Sequence, residues 1–267
     1  MNFQNIPRQD KTIKRAFLPK LEALCFFDYE QIEYRLLAYY LQAQLGETRM
    51  VDNFLSGLDP HTETAKLVLD EVGIEYDDPL SDLHRQVGKT ANFSIVYAGG
   101  KPTIVRQLTR AGWNVDDALA ARILAAVRST MPEVQELERE IHARLDERGY
   151  IETVLGRQLR PNIKKYGKRD AYRRMLNALI QGGAAEIMRE GLRETHKGLS
   201  LAGLQAHVVN VVHDELTVDT PKEELAELAR LVPVCMDYQP VSEVVPVTTS
   251  MEISYTSWAD KIPYEEV

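Results

Sequence analysis

Cysteine is almost missing from this chain of 267 residues: only Cys25 and Cys235 are present. Two thiols cannot staple a chain of this size, and neither has partners at zinc-ligand spacing, so a disulfide framework and a zinc site are both excluded and a reducing cytoplasm is expected. Cys25 lies in an apolar run and reads as a small core residue. Long apolar runs are also missing; none approaches the roughly 20 residues that span a bilayer, so no membrane partner is expected. Met1-Asn2-Phe3-Gln4-Asn5 lacks the apolar centre of a secretion signal. There are no internal repeats and no low-complexity linkers.

Positive charge is in short supply overall, with a formal net charge of -8. Its distribution matters more than its sum. From Asp214 to the end there are twelve acidic and three basic residues, which leaves 28 acidic and 29 basic residues in the remainder. Eight Lys/Arg and one acid, Asp170, lie between Arg157 and Arg174. Such a stripe suits phosphate binding, and equally a solvated helix face.

What is present is an ordinary globular composition, 44% hydrophobic and 27% charged. Ala23–Tyr29 (ALCFFDY) reads as a buried strand ending in an acid. Helical spacing follows over 31–42, 60–71, 80–97, about 115–130, 132–147, and 169–195 as one long helix. Residues 149–156 suggest a strand or hairpin. Residues 205–212 and 216–218 suggest strands flanking a His213-Asp214 turn, Pro221 starts a helix to about Met236, and 245–253 closes with a strand. Strands at both ends with helices between predict an α+β fold: an antiparallel sheet backed by helices, with a helical insertion.

Two acids and one helix carry the candidate chemistry. Asp28 ends a strand and Asp214 tips a hairpin, 186 residues later. Each is equally a turn residue by itself. Were they to converge, two carboxylates would suit a magnesium pair ~3.5–4 Å apart, the arrangement that serves phosphoryl transfer. Arg85, Lys89, Phe93 and Tyr97 recur every fourth residue, so they form one stripe that winds by ~40° per step. Its basic start, near a helix N-terminus, suits a triphosphate, and its aromatic end suits a base. A solvated basic turn followed by a core-facing aromatic side fits the same spacing.

These segments resemble the family A DNA polymerases, the bacterial DNA polymerase I and phage replicative type. Asp28-Tyr-Glu-Gln-Ile-Glu33-Tyr-Arg35 is similar to that family's first catalytic motif, Arg85 through Tyr97 to its nucleotide-binding fingers helix, and Val212-His-Asp214-Glu215 to its second catalytic motif. Further similarities fall in order at Asn5-Ile-Pro7, Arg15-Ala-Phe17, His61-Thr-Glu-Thr-Ala65, Gly149 through Arg157, and Asn177 through Ala185. The resemblance implies a palm over 1–59 and 148–267 and fingers over 60–147. It implies template-directed transfer of deoxynucleotides from dNTPs to a primer 3′-hydroxyl. Asp28 and Asp214, with the Tyr29 carbonyl, would hold two Mg2+ ions (Mn2+ as a substitute), and Glu215 would support them. Arg85 and Lys89 would grip the triphosphate, with Gln31 and His61 nearby, Phe93 on the base and sugar, and Glu33 with Tyr97 excluding ribonucleotides. Arg157, Arg173, Asn177 and Gln181 would contact primer–template DNA, and His213 the primer end.

Five positions depart from the family pattern: Glu30, where Ser is commoner; Ser94 and Ala98, where Gly is usual; and Gly183 and Glu186, in place of a hydroxyl residue and an Asp. The family's thumb and nuclease regions would precede Asn5, so the expectation is a separate thumb and nuclease polypeptide or a missing N-terminal region. The expected compartment is the cytoplasm, that of the host for a phage protein. Two rival readings, a non-catalytic DNA-binding subunit and a single-chain RNA polymerase relative, meet opposition in the intact Asp28, Asp214, Arg85 and Lys89 and in Glu33, respectively.

Overall fold

A computed structural model of the chain describes residue 6, residues 11–97 and residues 99–265. Asn5 and Pro7 of the resemblance, and the departure at Ala98, lie outside the described residues. In chain order the elements are α1 (Lys11–Lys14), β1 (Ala23–Tyr29), α2 (Ile32–Leu45), α3 (Arg49–Leu55), α4 (Pro60–Val72), α5 (Asp82–Val96), α6 (Lys101–Arg110), α7 (Asp117–Thr130) and α8 (Pro132–Arg148). Then follow β2 (Ile151–Glu152), β3 (Gln158–Leu159), α9 (Ile163–Arg173), α10 (Met175–Leu201), β4 (His207–Val212), β5 (Glu215–Thr220), α11 (Leu225–Met236), α12 (Gln239–Ser242), β6 (Thr249–Ser254) and β7 (Ile262–Pro263).

The chain divides into two compact units. One comprises the described residues within Met1–Ile32, Ala184–Glu243 and Val247–Val267; the other is Glu33–Gly183 with Val244–Pro246. This division runs along different boundaries from the three segments that the resemblance implies.

In the first unit, among the described residues, five strands form an antiparallel sheet in the order β4-β5-β1-β6-β7. β1 is central because its run ALCFFDY buries both of its faces. Successive side chains alternate between faces. Ala23, Cys25, Phe27 and Tyr29 share one face with Leu216, Val218 and Ile253, all buried. Each large apolar side chain removed from water there contributes about 1.5–3 kcal/mol. Tyr29 reaches across this layer, its hydroxyl donating to the Met236 carbonyl at 2.6 Å. α10 comes close at Gly191, where an added Cβ would stand 2.6 Å from the Tyr29 hydroxyl. The opposite face carries Leu24 and Phe26, packed with Trp258 and Phe17, and then turns acidic at Asp28.

In the second unit, α4, α5, α6 and α7 share a core of Ala65, Leu69, Val87, Ile104, Leu108 and Ile123. Local signals delimit these helices. Asp59 caps α4, accepting from the Thr62 amide, and Pro60 occupies its first turn. Ser81 caps α5 and Asp116 caps α7 in the same way. α4 and α5 meet at Gly88, where a Cβ would fall 1.8 Å from the His61 carbonyl oxygen, so no other residue fits without separating the helices.

Some expectations need correction. The single helix over 169–195 is two: α9 ends at Arg173 and α10 starts at Met175. The break escapes periodicity because Ala171, Tyr172, Met175, Leu176, Leu179 and Ile180 stay buried in phase across it. The Pro221 helix begins as a 3-10 turn, Lys222–Glu224, before α11. The strand expected over 245–253, β6, starts at Thr249, after Pro246, which has no N–H for a ladder, and it is not the closing strand, because β7 follows it. The possible strand or hairpin over 149–156 is a short hairpin whose second strand lies beyond it, at Gln158–Leu159.

Candidate active site

Each unit assembles one group of the predicted residues. In the first, Asp28 stands near the end of β1, directly across from Glu215 on β5 and Ser250 on β6. The β4–β5 loop is two residues long, His213-Asp214, and His213 at φ 57 supplies the left-handed backbone that so short a hairpin requires. The loop folds onto the end of β1, where the Tyr29 amide donates to the Asp214 carbonyl at 3.1 Å. Asp28 and Asp214 therefore come together, close enough for the charge of each to act on the other. Burial pushes the Asp28 carboxyl upward, and the charges of Asp214 and Glu215 push it further. Asp214 is raised too, chiefly by burial, against the opposing pull of its own backbone amide and of His213. Gln31, at φ 57, leaves its buried Oε1 without a hydrogen-bond partner among the described residues. His213 itself is exposed.

Lys261, which no motif singles out, completes this corner. Its ammonium pairs with Glu215, lies 3.5 Å from Glu252 and sits 4.1 Å above the Phe26 ring. Its charge lowers the Asp28 pKa, against the other acids. Glu30, the departure beside Asp28, accepts from the Thr248 hydroxyl at 2.6 Å.

The second unit holds the basic and aromatic stripe of α5. Arg85 donates from Nε and Nη2 to Asp59 at 2.7 and 2.9 Å, a side-on pair that leaves Nη1 for another anion. Burial would raise Asp59, but the Arg85 and Thr62 bonds outweigh it and hold the carboxyl well below the usual range. His61 is set by the buried Asn92. The Asn92 amide donates to the Pro60 carbonyl at 3.3 Å and faces His61 Nδ1 at 2.9 Å. A carbonyl only accepts, so the NH2 end faces Pro60, and its second hydrogen makes His61 Nδ1 an acceptor. His61 is then neutral and keeps an Nε2–H to donate. This agrees with burial, aided by Arg85 and Lys89, depressing its pKa to about 4 despite Asp59. Lys89 is half-buried. Phe93 and Tyr97 stack at 5.5 Å, and the Tyr97 hydroxyl donates to Glu33 at 2.7 Å.

Arg173, Asn177 and Gln181 recur every four residues through the α9–α10 break. Arg173 and Gln181 are exposed, whereas Asn177 donates to the Val96 carbonyl at 3.1 Å, at the end of α5. Arg157 lies against Gly182, where a Cβ would stand 2.6 Å from its guanidinium. Ser94 donates to the Thr90 carbonyl at 2.8 Å, inside the helix, and Gly183 faces Leu36 and the Tyr40 hydroxyl. Asp59, Asn92 and Lys261 escape sequence reasoning. Of these, only Asp59 has a local signal, as the cap before Pro60.

The profile of DNA polymerase family A matches residues 1–260. The chain belongs to this family. It is 32% identical over 272 residues to DNA polymerase I of Geobacillus stearothermophilus, covering 97% of this chain and 29% of that protein. DNA polymerase I of Bacillus subtilis is 32% identical over 249 residues, covering 89% and 26%. The chain thus spans less than a third of the curated relatives it matches. The polymerase domain of Pol1 from M. smegmatis, solved with DNA primer-template and dNTP, superposes with a TM-score of 0.80 at 25% identity, over 97% of this chain and 44% of that one. The predicted α+β class agrees with this match. Among the described residues, no helix is long and apolar enough to cross a membrane.

Proposed function

We propose that this chain catalyses template-directed DNA synthesis, joining deoxynucleotides from dNTPs to a primer 3′-hydroxyl with release of pyrophosphate. The observation that carries the reading is the pair of half-buried acids, Asp28 and Asp214, gathered from opposite ends of the chain to one end of the sheet, where their like charges repel. Their all-oxygen donor set, with the unpartnered Gln31 Oε1 beside it in sequence, fits Mg2+ rather than a softer metal. Asp28 and Asp214, with the Tyr29 carbonyl, would hold the ions. Bound divalent cations would supply stabilisation of the attacking and leaving oxygens.

The remaining roles belong to the chain's own side chains. Arg85 binds the triphosphate through Nη1, with its other edge fixed by Asp59. Lys89 adds a point charge, and His61 donates from Nε2. Phe93 packs on the base and sugar. Glu33, held by Tyr97, crowds a 2′-hydroxyl. Arg157, Arg173, Asn177, Gln181 and His213 contact primer–template DNA. Residues 1–59 and 148–267 serve as palm and 60–147 as fingers.

Single-nucleotide incorporation on a primer–template, with Mg2+ and either dNTP or rNTP, tests the proposal. Incorporation of dNTP that is lost in Asp214→Ala supports it. Absence of any extension by the folded chain would point to a DNA-binding role, and preference for rNTP to an RNA polymerase.

A further inference from the structure

The acidic corner of the first unit holds more carboxylates than two cations need. Strand register puts Asp28, Glu215 and Glu252 on one face of the sheet: Asp28 faces Glu215 across β1 and β5, and Phe26, two residues earlier, faces Glu252 across β1 and β6. Asp214 adjoins them at the hairpin tip. Four acids so placed would repel one another and compete for any cation that entered.

Lys261 meets two of the four. Its ammonium pairs with Glu215, lies 3.5 Å from Glu252 and sits over the Phe26 ring. The Lys261 and Glu215 side chains are only 19% and 14% exposed, so the pair is screened less than a surface pair would be. The backbone that presents Lys261 is fixed on both sides. The buried Trp258 donates its amide to the Phe17 carbonyl at 2.9 Å, and Ile262 and Pro263 pair with Ile253 and Glu252 as β7. Asp28 and Asp214, in contrast, stand beside each other where the hairpin tip folds onto the end of β1.

We propose that Lys261 is a positioning residue for the metal-binding acids: it holds Glu215 and Glu252 out of the ligand set, so that Asp28 and Asp214 alone face a divalent cation. The inference rests on the metal role proposed for these two acids. Cation affinity rises with the number of carboxylates available to a site. Lys261 therefore sets affinity lower than the acid count would, and keeps Glu215 from closing over the ions.

Mn2+ binding to the chain without DNA or nucleotide, followed by the electron spin resonance of the free ion, tests this directly. Lys261→Met should bind Mn2+ roughly five- to tenfold more tightly, because one positive charge is lost and a carboxylate is freed. Glu215→Gln should bind more weakly than the parent, because Lys261 then faces the site without its main counter-charge. Lys261→Arg should restore parental affinity. In primer extension, Lys261→Met should lower kcat with little change in the KM for dNTP. A merely structural lysine would give weaker binding, or none of these opposite signs. Unchanged or weaker Mn2+ binding by folded Lys261→Met overturns the inference. Should that variant not fold, stronger or equal binding by Glu215→Gln overturns it instead. Asp28→Asn and Asp214→Asn report on the underlying reading. If both retain full Mn2+ affinity, the metal role of these acids fails and this inference with it; if they lose affinity while Lys261→Met is unchanged, this inference alone fails.

Discussion

The carboxylate corner and the basic helix stand in opposite electrostatic states. In the first unit, like charges are pressed together and Asp28 is driven upward by burial and by Asp214. In the second, charges are met in advance: Arg85 has Asp59, and His61 is held neutral by Asn92 and by burial. The corner carries a stability cost that a cation would relieve. The helix carries little, because its partners lie within its own packing layer. Under the proposed function, the first would depend on what binds and the second on preorganisation.

This contrast predicts different kinetic failures. The largest effect belongs to the corner. Asp28→Ala should lower kcat about a thousandfold or more, as loss of several kcal/mol of charge stabilisation requires, without unfolding the chain. Rapid-quench incorporation measures it; a surviving kcat within tenfold of the parent would remove Asp28 from the chemistry.

Asp59→Asn should act on binding. Asn keeps a capping acceptor for α4 but loses the charged side-on pair with Arg85, so the KM for dNTP should rise ten- to a hundredfold with a smaller change in kcat. A kcat-only effect would erase the distinction between the two regions.

Glu33→Ala should raise the ratio of ribo- to deoxynucleotide incorporation about tenfold, by removing a repulsive element beside the sugar. Competition between matched rNTP and dNTP gives the ratio, and an unaltered ratio would assign sugar selection elsewhere.

The smallest effect concerns stability. A carboxyl whose folded pKa is raised contributes stability that is present below its unfolded pKa and is lost as pH rises through its folded value. Asp28→Asn should therefore stabilise the metal-free chain at pH 8 by about 1 kcal/mol, roughly 2–4 °C in Tm, and leave it unchanged at pH 4. His61 has the opposite sign of dependence. Its depressed pKa withdraws stability as pH falls from the ordinary histidine range toward about 4, so His61→Gln should flatten the acid limb of the melting curve. Equal slopes in parent and variant would show that His61 titrates normally.

Much of this was legible in order along the chain. β1 begins and ends where its apolar run does, α4 begins at its Pro after an Asp cap, and α5 begins after a Ser cap. Such signals are local: a cap or a period is written within a few residues of the structure it makes. Asp28 and Asp214 were legible as candidates through their motifs, but their proximity and raised pKa values come from the β1–β5 register, the hairpin that follows and burial. The break at Arg174 left no trace because burial stays in phase through it.

By itself, then, the sequence determined the α+β class and most element positions, since propensity and periodicity act over short spans, while its motifs, through their resemblance to a family, supplied the candidates for metal, triphosphate and template. Only the tertiary structure decided their partners: Asp59 for Arg85, Asn92 for His61, and Lys261 for Glu215. Those pairings span 26, 31 and 46 residues. Charge compensation depends on distance in space and on exclusion of water, and neither can be read along a chain until it has folded.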